Sequence, residues 1–247
     1  MDSEFKNIIQ SKELGELSID LVDKVIDNVV DSEILNEIPV LKYLVSIRNV
    51  HQSISDRIFI NKAMHVILEI GQVNWKERIE LTNDLSDDSS SGAEKILLAI
   101  DKLESYEKCK VFGRLCRLKA LNKLDTDDFL RLTRIIQNSY LTDLASINDF
   151  IKGEKHEIWE GDYHNLISMG LIFQEPSEQE QIQINHHRYD EDEPEVTGGQ
   201  IRFNYVLSYE GELLFKFYSE LFPEDAEMVI EWKKRAKERL KKPWMRL

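Results

Sequence analysis

The sequence holds six histidines and two cysteines, and their spacing limits the chemistry they can support. His186 and His187 are adjacent and lead into Asp190, Glu191, Asp192, Glu193 and Glu195. A run of this kind can catch a divalent ion, but no spacing in it enforces a tetrahedral or octahedral geometry. It also lacks the glycine at the sixth and the glutamate at the twelfth position of an EF-hand loop. His51 and His65 fall in phase with an apolar helical stripe. No thiol or paired carboxylate accompanies them, so they read as edge residues of a helix interface. His156 and His164 complete the set. Cys109 and Cys116 lie about two turns apart on one helix, roughly 10 Å, too far for a disulfide. Apolar neighbours make both read as buried small hydrophobes. There is no GxSxG, no HExxH, no CxxC and no Walker loop. The expectation is no catalytic residue, no metal site and no cofactor.

The densest chemical feature is electrostatic. Lys233, Lys234, Arg235, Lys237, Arg239, Lys241, Lys242 and Arg246 face the single acid Glu238, a net of +7 over residues 233–247. The other 232 residues carry 24 positive and 45 negative side chains, a net of −21. Trp232 and Trp244 flank the basic cluster and join it as candidate interaction residues. Basic and aromatic residues together suit anionic lipid, nucleic-acid backbone or an acidic protein surface. The same segment can instead complement its own helix dipole and neutralise the acidic body. The sequence leaves both readings open.

The 247 residues make one large domain or two smaller ones, and a hydrophobic fraction of 42% is enough for a core. A net charge of −14 opposes long-range attraction to nucleic acid and anionic membrane. The N-terminus has no basic region followed by an apolar one. The apolar stretch 38–50 is too short for a span and carries Lys42 and Arg48. A cytoplasmic protein is expected.

The elements that must position these residues are mostly helical. Val22, Val25, Ile26 and Val29 predict a helix over 18–36. Apolar positions from Val40 to Leu68 predict two further helices joined near Ser53–Asp56 and stopped by Gly71. A short helix follows over Trp75–Leu85, then a loop at 86–92. Ala93–Glu104 is helical with Ile96, Leu97, Ile100 and Leu103 inward. Ser105 caps a helix to about Leu121, and Asp125 or Thr126 caps another that continues to near Phe150. Beyond Gly153 the pattern changes. A short helix over Trp159–Met169 ends at Gly170, Leu171–Phe173 and Ile201–Leu207 read as strands, and Ser208 caps a helix over Tyr209–Leu221. Pro223 opens a last helix into the basic end.

Helix, strand, long turn, strand and helix is the order of the end of a winged-helix module, with Tyr163–Met169 in the recognition-helix place. That helix and its approach offer Glu157, Glu160, Asp162, His164 and Asn165, and the wing carries the acidic run. A phosphate backbone needs the opposite charge, so protein contact or packing fits this module better. Arg188 and Arg202 are the hairpin's cations.

Three passages carry a resemblance. They are Ile38–Pro39 with 53–59 (Ser-Ile-Ser-Asp-Arg-Ile-Phe), then 107–115 running on to 127–132, and finally 166–172 with Leu207-Ser208-Tyr209-Glu210-Gly211. In these the chain resembles uncharacterised bacterial helical proteins similar in layout to the abortive-infection alpha group. The resemblance implies a helical body with a winged-helix-like end, and a phage-defence or mobile-element setting. It brings no catalytic residues.

The expected fold is mainly α. A helical domain spans 1–152, a winged-helix-like module 153–222 and a basic C-terminal helix 223–247. The expected function is non-enzymatic interaction with another protein or a second copy of the chain. Nucleic-acid binding or peripheral membrane attachment through 233–247 are the alternatives, and no small-molecule substrate is indicated.

Overall fold

The computed structural model describes residues 2–16, 54–150, 156–157, 163–176, 183–185, 195–197 and 203–225. The expected helix over 18–36, the helix that follows Pro39 and the basic end fall outside them. The chain divides into two compact units: Met1–Leu141 with Phe217–Asp225, and Thr142–Lys216 with Ala226–Leu247. Helices dominate the described residues.

The first unit begins with α1 (Asp2–Gln10), which buries Phe5, Ile8 and Ile9 at helical spacing. A 3-10 turn, Glu13–Glu16, follows with Leu14 buried. Next come α2 (Ile54–Gly71), α3 (Trp75–Asp84), α4 (Gly92–Lys102), α5 (Tyr106–Ala120) and α6 (Thr126–Asn138). The starts of α3 to α6 are chemically marked. Asn74 and Glu77 form a reciprocal capping box on α3. Ser91, Ser105 and Asp125 accept the N3 amides of α4, α5 and α6 at 3.1, 3.2 and 2.7 Å. Stops are equally local. Asn122 takes a left-handed φ of 54° after α5, and the Lys123 amide closes back on the Leu118 carbonyl at 3.0 Å.

The α2–α5 crossing is the most extensive contact of the unit. It is close because Gly113 has no side chain there: a Cβ would stand 2.7 Å from the Glu69 Cβ. Ile60, Met64, Ile67, Phe112, Leu115 and Cys116 are buried around it. α1 packs on α3 and α4, and α6 packs on α5 and α4.

One expected element is shorter than its pattern. The helix predicted to reach Phe150 ends at Asn138. Ser139 turns to extended backbone, ψ 154°, while its amide and hydroxyl both donate to the Ile135 carbonyl. A serine that satisfies its own helix end in this way offers the chain an exit. A separate short helix α7 (Leu141–Ala145) and a 3-10 turn (Ser146–Asp149) follow.

The second unit holds a small antiparallel sheet. β1 (His156–Glu157) and β2 (Ile172–Pro176) both pair with β5 (Phe203–Leu207), giving the order β1-β5-β2. β3 (Gln183–Asn185) and β4 (Glu195–Thr197) form a separate two-stranded ladder. Between β1 and β2 lies α8 (His164–Ser168), stopped by Gly170 at φ +72°. α9 (Tyr209–Leu221) follows β5. Its first turn is held by Ser208, whose hydroxyl oxygen accepts the Gly211 amide at 3.0 Å and whose amide donates to the Leu171 carbonyl at 2.9 Å. Tyr163 lies edge-on to Phe150 at 5.1 Å. The end of α9 from Phe217, with the 3-10 turn Pro223–Asp225, belongs to the first unit.

Candidate functional site

Amphipathic helices bury one stripe and present the other. On α4 the buried stripe is Ala93, Ile96, Leu97 and Ile100, and on α6 it is Phe129, Leu132, Ile135 and Ile136. The neighbouring faces of the two helices enclose a groove of about 510 Å³. α4 lines it with Lys95, Leu98, Ala99 and Lys102. α6 lines it with Leu130, Arg131, Thr133, Arg134 and Gln137. Leu98 is 55% exposed and Leu130 43% exposed. Four of the nine lining residues are cationic and none is acidic. In a chain of net charge −14 this lining has the opposite sign to the whole.

The surroundings fix the walls. The Ser86 hydroxyl accepts the Gly92 amide at 2.8 Å, and Ser91 caps the helix that follows. Asp87 organises the loop before it. Its carboxylate accepts from Lys95 Nζ at 2.5 Å and from the Ser89 and Ser90 amides at 3.0 and 2.9 Å. The Lys95 contact, with the Ser89 and Ser90 hydrogen bonds, holds the Asp87 carboxyl well below the usual aspartate range. Thr133 turns its hydroxyl inward onto the Phe129 carbonyl at 2.7 Å.

A second polar cluster lies elsewhere in the same unit. Arg114 on α5 meets Glu69 at 3.1 Å, both Glu224 oxygens at 2.9 and 2.5 Å, and the Leu221 carbonyl at 3.0 Å. Arg117 joins through Glu69 at 3.0 Å and through Gln72. Arg114 ties Glu69 on α2 to Leu221 and Glu224, so the cluster fastens Phe217–Asp225 to the helices. The hydrogen bonds from Arg114 lower the Glu224 carboxyl pKa. A folded-state carboxyl below its ordinary value of 4.5 adds stability above that value and loses it as pH falls through the lowered one. The urea midpoint is expected to drop as the solution is acidified below about pH 4.5, and less steeply in Glu224→Gln. Parallel profiles for the two proteins would reject this role.

The thiols are withdrawn from chemistry. Cys109 and Cys116 are free and buried. Burial pushes the Cys109 thiol up to about 12 and raises Cys116 as well. Neither is expected to react with a disulfide reagent at pH 8 until urea unfolds the chain. Stoichiometric labelling of the folded protein would contradict their placement.

The sequence-derived candidates fare unevenly. Trp232, Lys233, Lys234, Arg235, Lys237, Arg239, Lys241, Lys242, Trp244 and Arg246 lie outside the described residues, as do His51, His186, His187 and Asp190–Glu193. Glu195 opens β4. His65 stays at a helix edge, its ring 5.3 Å from that of Tyr106. His156 pairs with Tyr205 in the sheet, and His164 is exposed at the start of α8. Among the described residues no group of three His, Cys, Asp or Glu side chains is placed to hold a metal. None of the described helices is long and apolar enough to cross a membrane.

The groove was missed in the sequence, although its signal was present. With Ile96, Leu97 and Ile100 inward, Leu98 must point away from the core, and Lys95 and Lys102 lie three and four residues from it. On α6, Arg134 lies four residues from Leu130 and Arg131 is adjacent to it. What the sequence lacks is the fact that these two faces are neighbours.

No protein-family model, curated protein or solved structure matches the chain.

Proposed function

We propose that this protein is a non-enzymatic interaction component that docks a partner protein in the α4–α6 groove. One observation carries the reading: two exposed leucines, Leu98 and Leu130, stand among Lys95, Lys102, Arg131 and Arg134 on capped helices. Exposed apolar side chains bordered by cations supply both parts of a specific interface, burial and orientation.

The second unit is read as winged-helix-like. Support comes from the strand order β1-β5-β2 with α8 between β1 and β2. The exposed residues of α8 are His164, Asn165 and Ser168, and the Asn165 amide donates to Asp143 at 2.9 Å. With no lysine or arginine on that helix, protein contact suits the unit better than a phosphate backbone does. The bacterial phage-defence or mobile-element setting implied by the layout resemblance belongs to the same proposal.

Affinity capture from the native host tests the reading. A partner retained by the wild-type protein is expected to be lost from the Leu98→Asp/Arg134→Glu double variant, with the thermal midpoint unchanged. Equal capture by both proteins would sink it, as would catalytic turnover abolished by a single substitution.

A further inference from the structure

We infer that the groove's occupant is an acidic amphipathic helix of a partner protein; this rests on the docking reading above. The two walls are helix faces. Lys95, Leu98 and Lys102 recur at i, i+3 and i+7 on α4, and Leu130 and Arg134 at i and i+4 on α6. α4 and α6 pack against each other, so the surface between them is the furrow of a helix pair. A third helix seats in such a furrow through apolar anchors at i, i+3, i+4 and i+7. The anchors here would meet Leu98, Ala99 and Leu130.

Charge selects the sequence of that helix. Two of the four cations are already engaged within the protein, Lys95 by Asp87 at 2.5 Å and Arg131 as well. Lys102 and Arg134 therefore carry the recognition, and no carboxylate lines the groove to compete with an incoming one. Glutamates flanking the apolar stripe would reach both cations. A nucleic acid fits less well. The lining contains no aromatic ring for bases to stack on, and phosphates gain nothing from two exposed leucines.

The test uses the full chain and a fluorescein-labelled helical peptide of roughly 15 residues, with leucines at i, i+3, i+4 and i+7 and glutamates elsewhere. Fluorescence anisotropy is expected to show saturable binding that weakens with salt. Arg134→Glu or Leu98→Asp should each weaken it at least about tenfold. A peptide with serine in place of leucine should bind less tightly by a similar factor. A single-stranded oligonucleotide of equal charge serves as the competing probe. A variant with the eight cations of 233–247 changed to glutamine reports binding to the basic end. The inference is overturned if the peptide does not bind, if only the basic-end variant loses it, or if the oligonucleotide binds more tightly through Arg134. If host-partner capture still depends on Leu98 and Arg134 while the peptide fails, docking stands and the acidic helix does not.

Discussion

Replacing Arg78 by methionine is expected to cost about 3–5 kcal/mol, the range for stripping a buried charged group from its partners. Arg78 sits on α3 and is 2% exposed. Its four hydrogen bonds all go to carbonyls: Ile9 at 2.8 Å, Ser11 at 2.5 Å, Gly71 at 3.3 Å and Val73 at 2.7 Å. Ile9 and Ser11 mark the end of α1, and Gly71 and Val73 the end of α2. Helix C-termini leave carbonyls without partners and carry partial negative charge. One guanidinium therefore closes two helix ends at once. Burial lowers the Arg78 pKa, but an arginine remains charged at neutral pH. Methionine would fill much of the volume and satisfy none of the four oxygens. Lysine keeps the charge but not the planar fork, so Arg78→Lys should recover only part of the loss. Urea denaturation followed by circular dichroism checks this. With total stabilities of roughly 5–15 kcal/mol, the methionine variant should show a large fall in midpoint. A loss below about 1 kcal/mol, the size of one ordinary hydrogen bond, would show that the carbonyls find other partners.

Gly92→Ala is expected to destabilise by about 1–3 kcal/mol, the usual cost of overpacking. The sign is the informative part. Gly92 opens α4, and alanine is the better helix former by about 1 kcal/mol. Propensity alone therefore predicts a gain. The structure predicts a loss, because a Cβ at Gly92 would stand 2.2 Å from the Thr82 carbonyl oxygen and 2.9 Å from the Leu85 Cβ. The nearest obstacle is backbone at the end of α3, which cannot rotate aside. Relief would shift the start of α4 and with it the wall that carries Lys95 and Leu98. Gly92→Val should be worse still. Thermal denaturation of the two variants beside Ser86→Ala, which removes the acceptor of the Gly92 amide and the hydroxyl's donation to the Thr82 carbonyl at 2.7 Å but adds no Cβ at position 92, separates the clash from the lost hydrogen bonds. An alanine variant as stable as wild type would mean that α3 and α4 meet less closely there.

Local chemistry was readable without coordinates. Ser105 and Ser208 were legible as caps, and the α6 cap was narrowed to Asp125 or Thr126, because a side-chain oxygen just before an apolar-periodic run favours that position; the structure selects Asp125. The inward residues of α4 followed from the period of 3.6 residues. The burial of both cysteines followed from their apolar neighbours. The end of α6 was not legible, since the apolar pattern continues through Leu141 and Leu144 while the break at Ser139 depends on a hydroxyl bonded back to Ile135. The N-terminal helix was passed over because Phe5, Ile8 and Ile9 give barely one turn of pattern.

By itself, then, the sequence determined a mainly helical chain, the starts of several of its helices, the inward stripe of α4, and an acidic body with a basic end. Tertiary structure alone decided what the polar residues do. Arg78 reads in one dimension as an ordinary surface cation, and its carbonyl partners Ile9 and Ser11 lie 69 and 67 residues away. Arg114 finds Glu224 across 110 residues. The groove needed the same step, since Leu98 and Leu130 become one surface only when α4 and α6 pack side by side. Caps and burial stripes arise from interactions within a few residues, which a sequence records directly. Buried cations and binding surfaces arise from pairs of distant elements, and no local period encodes which faces meet.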